Sequence, residues 1–203
     1  MLILVRHGES TGNADGLLLG RIDAPLTERG LAQARTVGPL VSRATRLISS
    51  PLRRALDTAE ALGIDAPVEI DERWIEVDYG EYDGHPLGAV PDEVWSRWRS
   101  DPDFRPPGGE SLTEAGWRVR SACDELFAVD GEGARGPGAV VVVSHVSPIK
   151  AATCWALGLG DEGAWRLYLA TASITRITWG AAGPVLAQFN DTPWSGPGSS
   201  GPA

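Results

Sequence analysis

The 203-residue sequence predicts an α/β fold: a three-layer sandwich, with a mostly parallel central sheet and helices on both faces. Two observations carry this. The apolar runs LILV (residues 2–5) and AVVVV (139–143) are continuous rather than alternating, as in strands buried on both faces. The segments between such runs show helical apolar spacing and begin or end at residues that cap helices.

LILV is the first strand. A helix starts at Thr27, a good N-cap, and places Leu31, Ala34, Val37 and Val41 on one face. TRLIS (45–49) is the second strand. Ser50 is expected to cap the next helix, with Pro51 at its first position, an apolar stripe at Leu52, Ala55, Leu56, Ala59 and Leu62, and a stop at Gly63. Ser111 and Glu114 form a capping box that opens a long helix. GAVVVVSH (138–145) is a buried strand. Ser147 should cap the helix after it, with Pro148 at the first position and Gly158 at the end. SITRITW and VLAQF, separated by GAAGP, read as a hairpin.

One domain is expected over residues 1–191. Its pattern breaks at about 83–109, where Pro, Gly and Trp are common and DEVWSRWRS reads as a short helix; this is an insertion over the site. The Gly/Pro/Ser-rich tail 192–203 is expected to be disordered. Helical spacing favours Trp95, Trp98 and Trp117 as packing residues over a lid.

The net charge of −9 argues against nucleic acid or an anionic membrane as partner, and means that any phosphate site must concentrate its own positive charge. Lys150 is the only lysine among 18 basic residues. Cys123 and Cys154 lie in apolar helical patterns without a CxxC or Cys/His neighbour, so they read as core residues rather than zinc or redox groups. No basic segment leads into a signal-like apolar stretch, and the cytoplasm is the expected location.

In an open α/β sheet, ligands sit beyond the C-terminal strand ends, beside helix N-termini. Arg6-His7, Arg54 and His145 all fall there. Arginine forks and helix N-termini bind phosphate. A neutral histidine beside them can attack phosphorus, and the leaving alkoxide then needs an acid. Glu76 in RWIEVDYGEYDG is one candidate; spacing alone leaves Asp78, Glu81 and Asp83 as rivals.

RHGES with Asn13, GRIDAPLTERGLAQA, SSPLRRALDTA, IEVDYGEYDG, PGGES and VVVSHVSPIK together resemble the motifs of the histidine phosphatase superfamily, also called phosphoglycerate mutase-like, in the family's order over residues 1 to about 155. The resemblance implies a phosphohistidine mechanism without metal or other cofactor. It makes His7 the nucleophile, Arg6, Arg54 and His145 the phosphate pocket with Asn13 assisting, and Arg21 a substrate contact. It selects Glu76 from the four acids as proton donor. One nitrogen of His7 should donate to a backbone carbonyl, freeing the other. Gly8 should let the backbone turn and approach phosphate.

Val146 departs from the glycine common after the second histidine, and is expected to shape the substrate pocket. Asp57 replaces a common glutamine, with little consequence expected. The implied substrate is a small phosphomonoester; SHVSPIK resembles actinobacterial acid phosphatase members of the family, and these with the α-ribazole phosphatases imply a nucleotide-like monoester. The alternatives are a cofactor-dependent phosphoglycerate mutase and a non-catalytic phosphate-binding protein. Family members are often homodimers.

Overall fold

The computed structural model describes residues 1–128, 134–135 and 138–194. Strands β1 (Leu2–Arg6), β2 (Ala44–Ser49), β3 (Val68–Ile70), β4 (Ala139–Ser144), β5 (Ile174–Gly180) and β6 (Gly183–Asp191) form one sheet, ordered β3-β2-β4-β1-β5-β6. β1 to β4 are mutually parallel. β5 pairs antiparallel with β1, and β6 antiparallel with β5. The helices are α1 (Thr11–Ala14), α2 (Glu28–Val41), α3 (Arg53–Ala61), α4 (Asp92–Ser100), α5 (Leu112–Leu126) and α6 (Val146–Leu157).

Side chains alternate across a strand, so continuous apolar runs feed two cores. Leu2, Leu4, Val140 and Val142 pack with Val119, Cys123 and Ile149 of α5 and α6. Ile3, Val5, Val141 and Val143 pack with Val37, Val41, Ala55 and Ala59 of α2 and α3. This is the expected sandwich. The late hairpin is also present, turning through Gly183 at φ +125°.

The register sets the site. Arg6 lies opposite Ser144, while Val5 and Ser49 both lie opposite Val143. Adjacent strands are about 4.8 Å apart. The residues that leave these strands, His7, Ser50 and His145, therefore emerge in one row.

Three expectations need correction. α3 begins at Arg53 with Leu52 as N-cap, not at Pro51 after a Ser50 cap. α6 begins at Val146, with His145 as N-cap and no side-chain cap, so Ser147 and Pro148 lie inside the first turn. In both places the serine hydroxyl has another partner: that of Ser50 meets His145, and that of Ser147 meets the Tyr79 hydroxyl at 3.3 Å. Gly8 does not adopt positive φ. A Cβ there would lie 2.3 Å from the Gly30 carbonyl oxygen, so this glycine admits the backbone at the start of α2. The Glu9 N–H donates to Gln33 and its carboxylate accepts from Thr27 and Arg29, which fastens the loop after β1 onto α2.

The insertion has a small core of its own. Trp98 is buried among Leu18, Val90, Tyr79, Tyr82 and Phe104. Trp95 is half-buried beside it, whereas Trp117 is 66% exposed and packs into neither a core nor a lid. Trp194 departs from the expectation of disorder from 192 onward: it packs on the second core and donates to the Thr171 carbonyl. Residues 195–203 lie outside the described residues. Cys123 and Cys154 are buried and free, and burial raises both thiol pKa values, that of Cys154 to about 11. No described helix is long and apolar enough to cross a membrane.

Candidate active site

His7 continues the line of β1. Its N–H donates to Ser144, and its carbonyl accepts from Ala172. The side chain is 3% exposed. Nδ1 is 2.7 Å from the Gly8 carbonyl oxygen, which can only accept, so Nδ1 carries the proton. Nε2 makes no hydrogen bond to the described residues. Burial first, then the charges of Arg54 and Arg6, hold the His7 pKa well below the usual histidine value. The ring is neutral at pH 7, with a lone pair on Nε2.

His145 lies beside it, the ring centroids 5.1 Å apart. Burial, then Arg54 and His7, push its pKa well down as well. Its Nδ1 accepts from Arg54 Nε at 3.2 Å, so the proton sits on Nε2 and is donated to Ser50 Oγ at 2.6 Å. His145 thus anchors Arg54.

Arg54 is 1% exposed. Besides His145 it donates from Nη2 to the Gly20 carbonyl and from Nη1 to the Ile22 carbonyl, each at 2.8 Å. Asp83 holds the same loop from the opposite side, accepting from the N–H groups of Gly20, Arg21 and Ile22. Thr58 accepts from the Gly8 N–H and donates to the Arg54 carbonyl, tying α3 to the loop after β1. Arg6 donates to the Leu169 carbonyl, while its buried Nε has no partner among the described residues. Burial lowers the Arg6 pKa to about 10, against the pull of Glu76. Its guanidinium stays charged at neutral pH.

The four acids separate. Glu76 is 4% exposed. Its carboxyl group accepts from the N–H groups of Val77, Val146 and Ser147, which places it at the N-terminus of α6. Asp83 clamps the loop 20–22, Asp78 accepts from the Gly80 N–H, and Glu81 is exposed.

The secondary candidates divide as well. Asn13 Oδ1 accepts from the Ser10 N–H and hydroxyl in a capping box on α1, which leaves its amide N–H₂ for other contacts. Arg21 pairs with Glu110 at 3.3 Å and is 37% exposed. Glu110 is held chiefly by two bonds from Arg118; burial opposes its charge, but Arg118 prevails and lowers its pKa. The Val146 side chain lines a cavity while its N–H is committed to Glu76. His85 is exposed, and Asp57 forms an exposed pair with Arg53.

Sequence reasoning missed Ser50, Thr58 and Tyr79, which meet His145, Gly8 and Ser147 across 50 or more positions, and the Arg118–Glu110 pair. Only Ser50 left a trace, as a cap residue without a capping role.

Two predictions arise here. Unfolded histidines titrate near 6.5, and both buried rings titrate lower when folded. Below about pH 6.5 the unfolded chain therefore binds more protons, and stability falls with falling pH, by up to about 1.4 kcal/mol per pH unit for each ring. Denaturant midpoints should be lower at pH 5.5 than at 7.5, and the difference should shrink in His145→Gln. In Arg54→Lys, an ammonium cannot serve His145, Gly20 and Ile22 together. We expect kcat/KM to fall about 100-fold and stability by about 2 kcal/mol from the carbonyls left unpaired, read by steady-state kinetics and denaturant titration.

Comparison with known proteins places the chain in a family. A family profile described as histidine phosphatase superfamily (branch 1) matches residues 2–192. A putative phosphoserine phosphatase 2 of Hydrogenobacter thermophilus is 32% identical over 184 residues, 87% of this chain and 88% of that one. A glucosyl-3-phosphoglycerate phosphatase of Mycolicibacterium vanbaalenii is 35% identical over 167 residues, 78% of this chain and 74% of that one. Mycobacterial relatives that are 35% identical over 184 residues are matched over only 49% of their length. A solved phosphoserine phosphatase mutant of Entamoeba histolytica, in complex with phosphoserine, superposes with a TM-score of 0.84 at 27% identity, covering 94% of this chain and 96% of that one. The match over nearly the whole chain and the phosphatase relatives show that the chain belongs to the histidine phosphatase superfamily, as one of its phosphomonoesterases.

Proposed function

We propose that this phosphatase hydrolyses a small-metabolite phosphomonoester through a phosphohistidine on Nε2 of His7, without a metal or cofactor. The observation that carries the reading is the state of His7: neutral, its Nδ1 proton tied to the Gly8 carbonyl, and its Nε2 unpartnered beside Arg6 and Arg54.

The steps balance as follows. The Nε2 lone pair forms a bond to phosphorus as the bond from phosphorus to the ester oxygen breaks. Glu76 gives the leaving oxygen its proton. Water then attacks the phosphohistidine, returns a proton to Glu76 and releases phosphate. Arg6 and Arg54 neutralise charge on the phosphoryl oxygens, and the orphaned Arg6 Nε gains an acceptor. His145 keeps Arg54 in place. Asn13 through its amide and Arg21 from the rim are secondary substrate contacts.

The phosphatase names among the relatives support hydrolysis over mutase chemistry. Among the described residues, no three His, Cys, Asp or Glu side chains are grouped to hold a metal. We place the protein in the cytoplasm, as a single domain over residues 1–191, with a homodimer as the assembly to test.

The test is hydrolysis of p-nitrophenyl phosphate from pH 5 to 8 with EDTA present, together with trapping of labelled enzyme. EDTA-resistant turnover with an acid-labile, base-stable phosphoenzyme supports the proposal. Turnover that EDTA abolishes, or that needs a bisphosphoglycerate primer, overturns it.

A further inference from the structure

A cavity of about 170 Å³ opens beside the first turn of α6, whose Val146 N–H donates to Glu76. Its walls are largely aromatic: Trp95 and Trp98 from α4, Trp165 from the 3₁₀ segment Asp161–Arg166, and Tyr79. These rings brace one another. Trp95 and Trp98 centroids are 5.5 Å apart, Tyr79 meets Trp98 edge-on at 5.5 Å, and Trp165 Nε1 donates to the Trp98 carbonyl at 3.0 Å. Such rings give a preformed, low-entropy surface for a flat apolar body.

The floor belongs to α6. Val146 and Ser147, whose N–H groups hold Glu76, line the cavity, and so does Lys150. Lys150 follows Val146 by four residues and so shares its helix face. It is half-buried and makes no hydrogen bond or ion pair to the described residues. Burial lowers its pKa, and the nearby charge of Glu76 opposes that shift. An ammonium held without a partner in an aromatic cavity is costly unless something bound supplies an anion.

From the cavity walls, the bonds that tie Glu76 to the lining residues Val146 and Ser147, and the unpaired Lys150, we infer that the leaving group is a flat, aromatic or apolar body bearing a carboxylate, which Lys150 receives. The inference rests on the proposed phosphatase reading, because Glu76 as proton donor fixes where the ester oxygen sits. The leaving group then runs from Glu76 across Val146 and Tyr79 into the cavity. In that step Glu76 is engaged by the ester oxygen, so the partner of Lys150 comes from the substrate. A carboxylate suits the site better than a second phosphate. A phosphate brings a charge of about −2 and is best met by arginine forks, whereas among the described residues Lys150 is the only cation lining the cavity.

The experiment compares phenyl phosphate with 3-carboxyphenyl phosphate, whose meta-carboxylate barely alters the leaving group's acidity. Wild-type kcat/KM should favour the carboxylated ester by about tenfold or more, the worth of one charge-assisted hydrogen bond. The preference should collapse in Lys150→Met and return in Lys150→Arg. A second readout does not depend on turnover. Binding of the product 3-hydroxybenzoate should perturb the fluorescence of the wall tryptophans, with Kd about tenfold weaker in Lys150→Met. Equal rates for the two esters, a preference that survives Lys150→Met, or product binding indifferent to that change would each overturn the inference. Absence of turnover with intact, Lys150-dependent product binding would instead count against the phosphohistidine reading and leave the cavity's preference standing.

Discussion

His7→Ala is expected to lower kcat/KM for p-nitrophenyl phosphate by at least about 10,000-fold, because it removes the atom that bonds to phosphorus. Two results should accompany the loss. The labelled phosphoenzyme should vanish. Inorganic phosphate should still bind, since Arg6 and Arg54 take their positions from the Leu169, Gly20 and Ile22 carbonyls and from His145, not from His7. The variant should also fold: alanine can keep the backbone bonds of position 7 to Ser144 and Ala172. A variant that turned over substrate through direct attack by water, within about tenfold of wild type, would show that the neutral ring has some other purpose.

The second large effect belongs to Glu76→Gln, and its size should depend on the substrate. An alkyl ester leaves as a basic alkoxide and needs a proton, so its rate should fall about 100- to 10,000-fold, the usual range for a lost general acid. p-Nitrophenolate leaves unprotonated, so phosphoenzyme formation from it should suffer far less. Dephosphorylation still needs a base, so the labelled intermediate should accumulate. Burst kinetics would check both halves. Equal losses on the two esters would move the proton donor to another group. Glutamine is also a structural probe, because Glu76 accepts from three N–H groups at the start of α6 and an amide has only one oxygen to offer them. A thermal melt on the same sample separates the two consequences.

The architecture was legible because burial on both faces leaves a plain trace. The valines of β4 read as a core strand and are one. The meeting of His7, Arg54 and His145 followed from strand ends and the helix start after β2 coming together in a parallel sheet. What could not be read was the division of labour among similar residues. Glu76, Asp78, Glu81 and Asp83 sit within eight positions, and only the structure shows that Asp83 grips the loop 20–22 while Glu76 faces α6. The helix starts at Ser50 and Ser147 were misplaced for a related reason. Local capping rules assume a serine hydroxyl is free to cap, and here that of Ser50 is drawn to His145, 95 positions away, and that of Ser147 to Tyr79, 68 positions away. The choice of Glu76 came from resemblance to a family, not from spacing.

The grip on residues 20–22 has a consequence for how activity fails. Asp83, at the edge of the insertion, takes the N–H side of these peptides, and Arg54 takes the carbonyl side. Orientation of the buried guanidinium thus depends on a surface segment that lies outside the two sheet cores. Peripheral segments open at lower free energy than the sheet beneath them. Heat inactivation is then a separate event from melting. The enzyme would lose its chemistry when the insertion lifts and lets Arg54 swing, with all six strands still paired, and would regain it when the segment settles back.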